Sequence, residues 1–197
     1  MSMNEKINFF NRHAIYWDSY LTVNDYQKIE AIIERSKIQL NDKILDVACG
    51  TGIFTDVLIK KNYKHIQAID FSDKMVEIYQ KKFPHLTVIN NNFEDLMYKE
   101  KSFDHVIIFN SFPHFNNYDK VFENSYKILK NRGKLTIAHS MNREELDKHH
   151  SECENAVKDD ILISDDSICQ LYKKYNFQNI CIGNQEYFYS SGKKLCK

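Results

Sequence analysis

The densest chemistry in the sequence lies in Asp46-Val47-Ala48-Cys49-Gly50-Thr51-Gly52. Small residues at 48, 50 and 52 sit between a short apolar run and a helix-forming one. Such a turn lets a ligand approach the backbone closely. The helix behind it presents unpaired N–H groups and a positive dipole end to an anion. Asp70 closes the next apolar run, 24 positions after Asp46. A carboxylate there can accept hydrogen bonds from both hydroxyls of a ribose. Histidines supply a second chemistry. His114 follows the fourth apolar run, in Asn110-Ser111-Phe112-Pro113-His114-Phe115, and His139 ends the fifth. Imidazole titrates near neutrality, so each is a candidate base or substrate ligand. His149 and His150 follow on a polar helical stretch, with Glu145 and Cys153 four positions to either side of His149. His114, His139 and His149 or His150 are the right types for a divalent metal ion, but spacing alone does not make them converge.

Two cofactor classes share the physics of this turn. A dinucleotide site needs G-x-G-x-x-G, and counting from Gly50 the third position is Thr55, so that fingerprint fails. The remaining pattern, Leu45-Asp46 through Gly52, resembles motif I of the class I S-adenosylmethionine-dependent methyltransferases, commonly L-D-x-G-x-G-x-G, with Ala48 in place of the first glycine. Further stretches resemble the same family in order. Ala68-Ile69-Asp70-Phe71-Ser72, with Met75 beyond, is similar to the segment that grips the adenosine ribose. Asn91-Asn92-Phe93-Glu94-Asp95-Leu96 is similar to the adenine segment, with Asn92 where Asp is usual. Leu129–Leu135 resembles the L-K-P-G-G-x-L turn, with Pro and the first Gly replaced. Phe9–Asp18, Phe112–Phe115 and Ala138–Leu146 resemble a group of small bacterial enzymes described as menaquinone- or ubiquinone-methyltransferase-like.

The resemblance implies S-adenosylmethionine as cofactor. It assigns the cofactor site to Asp46, Ala48, Cys49, Gly50, Thr51, Gly52, Asp70, Phe71, Met75, Asn92, Phe93 and Asn110. His114 and His139 are then the expected catalytic side chains. Tyr16, Trp17, Ser111, Phe112, His149 and His150 are expected around the acceptor or in a lid. A metal on His114, His139 and His149 is a secondary expectation. Methyl transfer is an in-line displacement, so the acceptor belongs beyond the fourth and fifth strands. The N-P-P-[YF] motif of many amino-group methyltransferases is absent at Asn110–Pro113. Cys49 reads as small packing, and Asp159-Asp160 as a solvated loop.

These residues need a scaffold that brings strand ends together. Short apolar strands at 43–47, 65–69, 86–89, 103–109 and 134–139 alternate with helices at 54–61, 73–83, 118–129 and 165–175. That alternation predicts an α/β, Rossmann-like, mostly parallel seven-stranded sheet with helices on both faces. Asn179–Ile182 and Glu186–Ser190, joined by Gly183-Asn184, predict an antiparallel last strand. Residues 1–40 are expected as an N-terminal helical lid or cap with aromatics in one helix over 5–20, and 41–197 as the cofactor-binding domain.

Composition narrows the partners. Lys+Arg and Asp+Glu both number 27, so the basic excess of a nucleic-acid clamp is missing. No run is long and apolar enough for a bilayer span, and the first twenty residues lack a secretory pattern. Five scattered cysteines suit reduced thiols. The expectation is a cytoplasmic monomer or homodimer acting on a small molecule, with no nucleic-acid or membrane partner. A non-catalytic S-adenosylmethionine-binding module is the alternative, and an RNA or protein methyltransferase a weaker one.

Overall fold

The computed structural model describes residues 3–95, 99–152, 157 and 160–195, with the backbone alone for 150–152. Seven strands form one sheet in the order β3-β2-β1-β4-β5-β7-β6. They are β1 (Ile44–Val47), β2 (Ile66–Asp70), β3 (Thr87–Asn90), β4 (Phe103–Phe109), β5 (Leu129–Ala138), β6 (Phe177–Asn184) and β7 (Phe188–Lys194). β1 to β5 run parallel, and β7 lies antiparallel to both β5 and β6. The helices are α1 (Met3–His13), α2 (Val23–Ser36), α3 (Ile53–Lys60), α4 (Asp73–Lys82), α5 (Tyr118–Ile128), α6 (Arg143–Glu152) and α7 (Asp165–Lys174).

The central strands are buried on both faces, which is why β1 and β4 read as nearly continuous apolar runs, broken by Asp46 in β1 and Asp104-His105 in β4. Ile44 and Ile107 pack with Ile29, Ile32 and Ile33 of α2 and with Phe54, Val57 and Leu58 of α3. Leu45, Val106 and Ile108 point the other way, into a cluster with Val121 and Phe122 of α5 and Tyr172 of α7. Strand order reverses between β1 and β4. The crevice beyond their carboxyl ends is therefore the topological switch point, where ligands of open α/β sheets bind. It is flanked by Ala48–Gly50 after β1 and Asn110–Ser111 after β4.

Three boundaries differ from the sequence-based expectation. The aromatic N-terminal stretch divides into α1 and a 3-10 helix, Ala14–Tyr20. β5 begins at Leu129 rather than Lys134, because Leu129 pairs with Phe103 before the register shifts. β6 and β7 extend well past the expected hairpin arms, since β7 pairs with β5 through Lys193. The first forty residues also occupy two places. α2 covers the sheet as part of its core, while α1 packs on α4 and the 3-10 helix lies above the turn after β1. None of the described helices is long and apolar enough to cross a membrane.

α2 starts at a capping box. The Asp25 amide donates to Thr22 Oγ1 at 3.3 Å, and the Thr22 amide donates to Asp25 Oδ2 at 2.9 Å. Thr22→Ala is expected to cost about 1 kcal/mol. A lowered urea midpoint at unchanged slope would report it.

Candidate functional site

β1 delivers Asp46 to the carboxyl edge, and the chain then turns sharply. Ala48, Gly50 and Gly52 all take left-handed backbone angles, with φ of 53°, 54° and 91°. The two glycines serve different ends. A Cβ on Gly50 would meet Trp17 Nε1 at 3.7 Å and Met75 Sδ at 3.9 Å, ordinary contact distances, and Gly50 lines the cavity described below. A Cβ on Gly52 would lie 2.5 Å from the Phe83 ring and 2.7 Å from Tyr79. Gly50 therefore gives access to the backbone, and Gly52 allows α3 to pack against α4.

Asp70, at the end of β2, fastens this turn. One carboxylate oxygen accepts from the Gly50 amide and the other from the Ser72 amide, each at 2.8 Å. Asp46 accepts from Thr55 Oγ1 at 2.7 Å, and Tyr79 donates its hydroxyl to Thr55 in turn. Burial pushes Asp46 up to about 7, further raised by the charge of Asp70 although Thr55 opposes it. Burial likewise raises Asp70 to about 6, against the two amide hydrogen bonds. Burial pushes the Cys49 thiol well up, which fits packing and not a nucleophile.

A cavity of about 800 Å³ opens over the turn. On its β1–β2 side it is lined by Asp46, Ala48, Cys49, Gly50, Asp70, Phe71 and Met75. On its β4–β5 side it is lined by Asn110, Ser111, His114, His139 and His149, with Trp17 above. Asn110, at φ 54°, clips the two strand ends together. Its Oδ1 accepts from the Ser140 amide at 2.7 Å, and its Nδ2 donates to Ser140 Oγ at 3.2 Å. Ser111 Oγ is buried against this wall and has no hydrogen-bond partner among the described residues.

Six expected contacts do not line the cavity. Thr51 and Gly52 shape the turn from behind. Thr51 is buried, and donates its hydroxyl to Asp18 at 2.5 Å. Asn92 spends its side chain locally, accepting from the Glu94 amide and donating to Asp95. Phe93 and Phe112 belong to the sheet core, Phe112 stacking on Tyr118 at 4.7 Å. Tyr16 faces outward and is 62% exposed. The side chain of His150, and Leu96, Cys153 and Asp159, lie outside the described residues. Among the described residues no three His, Cys, Asp or Glu side chains group as a metal site. His114 turns Nδ1 to a carboxylate instead.

That carboxylate is Asp160, and it corrects the expectation of a solvated loop. Its Oδ2 lies 2.8 Å from His114 Nδ1, and its Oδ1 accepts from Lys6 Nζ at 2.9 Å. Lys6 was not singled out in the sequence, yet it shares a helical face with Phe9 and Phe10, three and four positions on. A lysine on an apolar face is a signal of a buried ion pair. Other polar ties hold the N-terminal segment down. Asn11 Oδ1 accepts from Ser72 Oγ at 2.6 Å, and Asp18 pairs with Lys82, which also donates to the Thr51 carbonyl. Phe10 meets Phe71 edge-on at 5.5 Å.

Residues 44–133 match the methyltransferase domain family. A malonyl-[acyl-carrier protein] O-methyltransferase of Priestia megaterium is 34% identical over 134 residues, 66% of this chain and 48% of that protein. A demethylmenaquinone methyltransferase of Thermotoga maritima is 32% identical over 100 residues, 49% of this chain and 42% of that protein. The chain thus spans about half the length of the curated relatives it matches. Among solved structures, a putative S-adenosylmethionine-dependent methyltransferase of Methanococcus maripaludis superposes with a TM-score of 0.77 at 20% identity, covering 100% of this chain and 98% of that one. A phosphoethanolamine N-methyltransferase of Haemonchus contortus, solved with S-adenosylmethionine, gives 0.74 at 16% identity, over 86% of this chain and 53% of that one. Residues 44–133 thus carry a methyltransferase domain, and the chain as a whole has the fold of these enzymes.

Proposed function

We propose that this chain is an S-adenosylmethionine-dependent methyltransferase acting on a small acceptor. The observation that carries the reading is the Asp70 carboxylate, tied to the Gly50 and Ser72 amides at the floor of a cavity over the strand-order switch. The residues fit the cofactor. Gly50 lines the cavity without a side chain, which leaves its backbone approachable, and each Asp70 oxygen, with one amide bound, keeps a lone pair for a ribose hydroxyl. Asp46 and Asp70 set two carboxylates on the same floor, which favours a cation, and Trp17 adds an aromatic face. When bound, the sulfonium supplies an electrophilic methyl group.

On the opposite wall, Ser111, His114, His139 and His149 supply the polar groups facing an acceptor, among the apolar side chains of Phe115, Met141 and Leu146. His114 is the proposed base. Cavity size supports a small acceptor, since one space of about 800 Å³ must take both molecules. The demethylmenaquinone acceptor in one relative's name supports the same class. α1 and the 3-10 helix act as the lid over both, tied by Asn11 and Asp18, and exclude water from the transfer. S-adenosylhomocysteine formation only when an acceptor is added would separate an enzyme from a pure sensor.

Cofactor affinity should depend on pH. In the free protein Asp46 and Asp70 hold protons up to about 7 and about 6. A cationic ligand favours their ionised forms, so binding releases protons, and affinity rises with pH. Titrations of S-adenosylmethionine should show increasing affinity from pH 5 to 7 and a plateau above. A flat profile would detach these carboxylates from the site.

A further inference from the structure

We infer that Asp160 and Lys6 are positioning residues that fix His114 as a proton acceptor, and that the methyl acceptor attacks through an atom bearing a proton, a hydroxyl or an amine, not through a carboxylate. This rests on the methyl-transfer reading above. Three distant segments converge to make the arrangement. Lys6 comes from α1, His114 from the turn after β4, and Asp160 from the stretch before α7. Lys6 is only 3% exposed. Its ammonium donates to the His114 carbonyl at 2.8 Å and to Asp160 Oδ1 at 2.9 Å. Asp160 Oδ2 meets His114 Nδ1 at 2.8 Å, and Phe10 packs edge-on against the imidazole at 5.2 Å.

The chemistry follows from the donor count. A carboxylate only accepts, so Nδ1 must carry the proton, and basicity passes to Nε2. Lys6 occupies the second carboxylate oxygen and keeps Asp160 ionised. Burial acts to raise Asp160, yet the hydrogen bonds from His114 and Lys6 bring it below the usual carboxylate range. His114 lines the cavity, so this is a base oriented by a carboxylate, the arrangement of an acid–base pair. In the transfer, the acceptor's X–H proton passes to Nε2. The lone pair on X bonds to the methyl carbon, and the C–S pair returns to sulfur. The imidazolium so formed faces Asp160 and later gives its proton to water. A carboxylate acceptor is already ionised at neutral pH and has no use for such a base. Because Lys6 sits on α1, the base is complete only when the N-terminal segment is docked.

Asp160→Asn tests the assignment at nearly constant shape. Asparagine has one oxygen, and the Lys6 ammonium can only donate to it. The amide NH₂ then faces Nδ1 and drives the imidazole proton to Nε2. Proton–nitrogen correlation spectra of ¹⁵N-histidine-labelled protein with S-adenosylhomocysteine read the tautomer without any acceptor. Wild type should show Nδ1–H at His114, D160N should show Nε2–H, and K6M/D160N, in which the amide can turn its oxygen back, should restore Nδ1–H. Catechol, 1,4-dihydroxynaphthalene and ethanolamine serve as proton-bearing probes, with malonate and acetate as carboxylates. Any probe methylated should belong to the first group, with D160N turning it over about 100-fold more slowly at similar cofactor affinity. An Nε2–H imidazole in wild type, an unflipped D160N, or preferred methylation of malonate or acetate overturns the inference. Absence of S-adenosylhomocysteine binding to wild type would instead overturn the methyltransferase reading.

Discussion

Replacing Asp70 by alanine is expected to weaken S-adenosylhomocysteine binding by about 100-fold or more. The variant removes a charged acceptor for two ribose hydroxyls. Hydrogen bonds to charged groups contribute roughly 1.5–3 kcal/mol each, and about 3 kcal/mol is two orders of magnitude in affinity. It also releases the Gly50 and Ser72 amides, which Asp70 holds at 2.8 Å, so the turn loses the clamp that sets its shape. Asp70→Asn keeps one acceptor and should fall between wild type and alanine. Titration calorimetry on variants with native circular dichroism provides the comparison. An affinity within about threefold of wild type would remove Asp70 from the site.

Gly52→Ala is expected to cost about 2–6 kcal/mol of folding stability. Two penalties add. The backbone at φ 91° disfavours any side chain by about 1–3 kcal/mol. The new Cβ would also lie 2.5 Å from Phe83 and 2.7 Å from Tyr79, and Tyr79 is fully buried with no space to retreat into. Overpacking of that kind costs about 1–3 kcal/mol. Tyr79 also bonds Thr55, which holds Asp46, so a displaced ring would disturb the cavity floor. Gly50→Ala makes the contrast. Its Cβ meets only ordinary contacts, so stability should fall by only the backbone strain while ligand affinity drops, because the methyl group enters the cavity that Gly50 lines. Urea midpoints of the two variants separate these outcomes. Equal stability losses at 50 and 52 would contradict the division of labour between the glycines.

The parallel part of the fold was legible because β1 and β4 are buried on both faces and so are apolar at most positions, with Asp46 in β1 and Asp104-His105 in β4 as the exceptions. Local signals also marked the turn after β1, where small residues stand at each left-handed angle. Contacts made by partners far apart in sequence were not legible. Lys6 and Asp160 are 154 positions apart, and neither stands out until the fold joins them. Asn92 and Phe112 were drawn toward the cavity by their motif positions. The structure spends one in a local turn and the other in the core, because strand ends supply both inward- and outward-facing side chains. The start of β5 escaped detection for a related reason. The turn with Arg132 at φ 67° looks like a helix stop, yet Leu129 ahead of it already pairs with β4.

The most direct test of the account is calorimetric titration of S-adenosylhomocysteine into the wild-type protein at neutral pH, paired with its thermal midpoint. One saturable site per chain and a raised midpoint are predicted, both lost together in Asp70→Ala. No heat and no upward shift at millimolar ligand would contradict it.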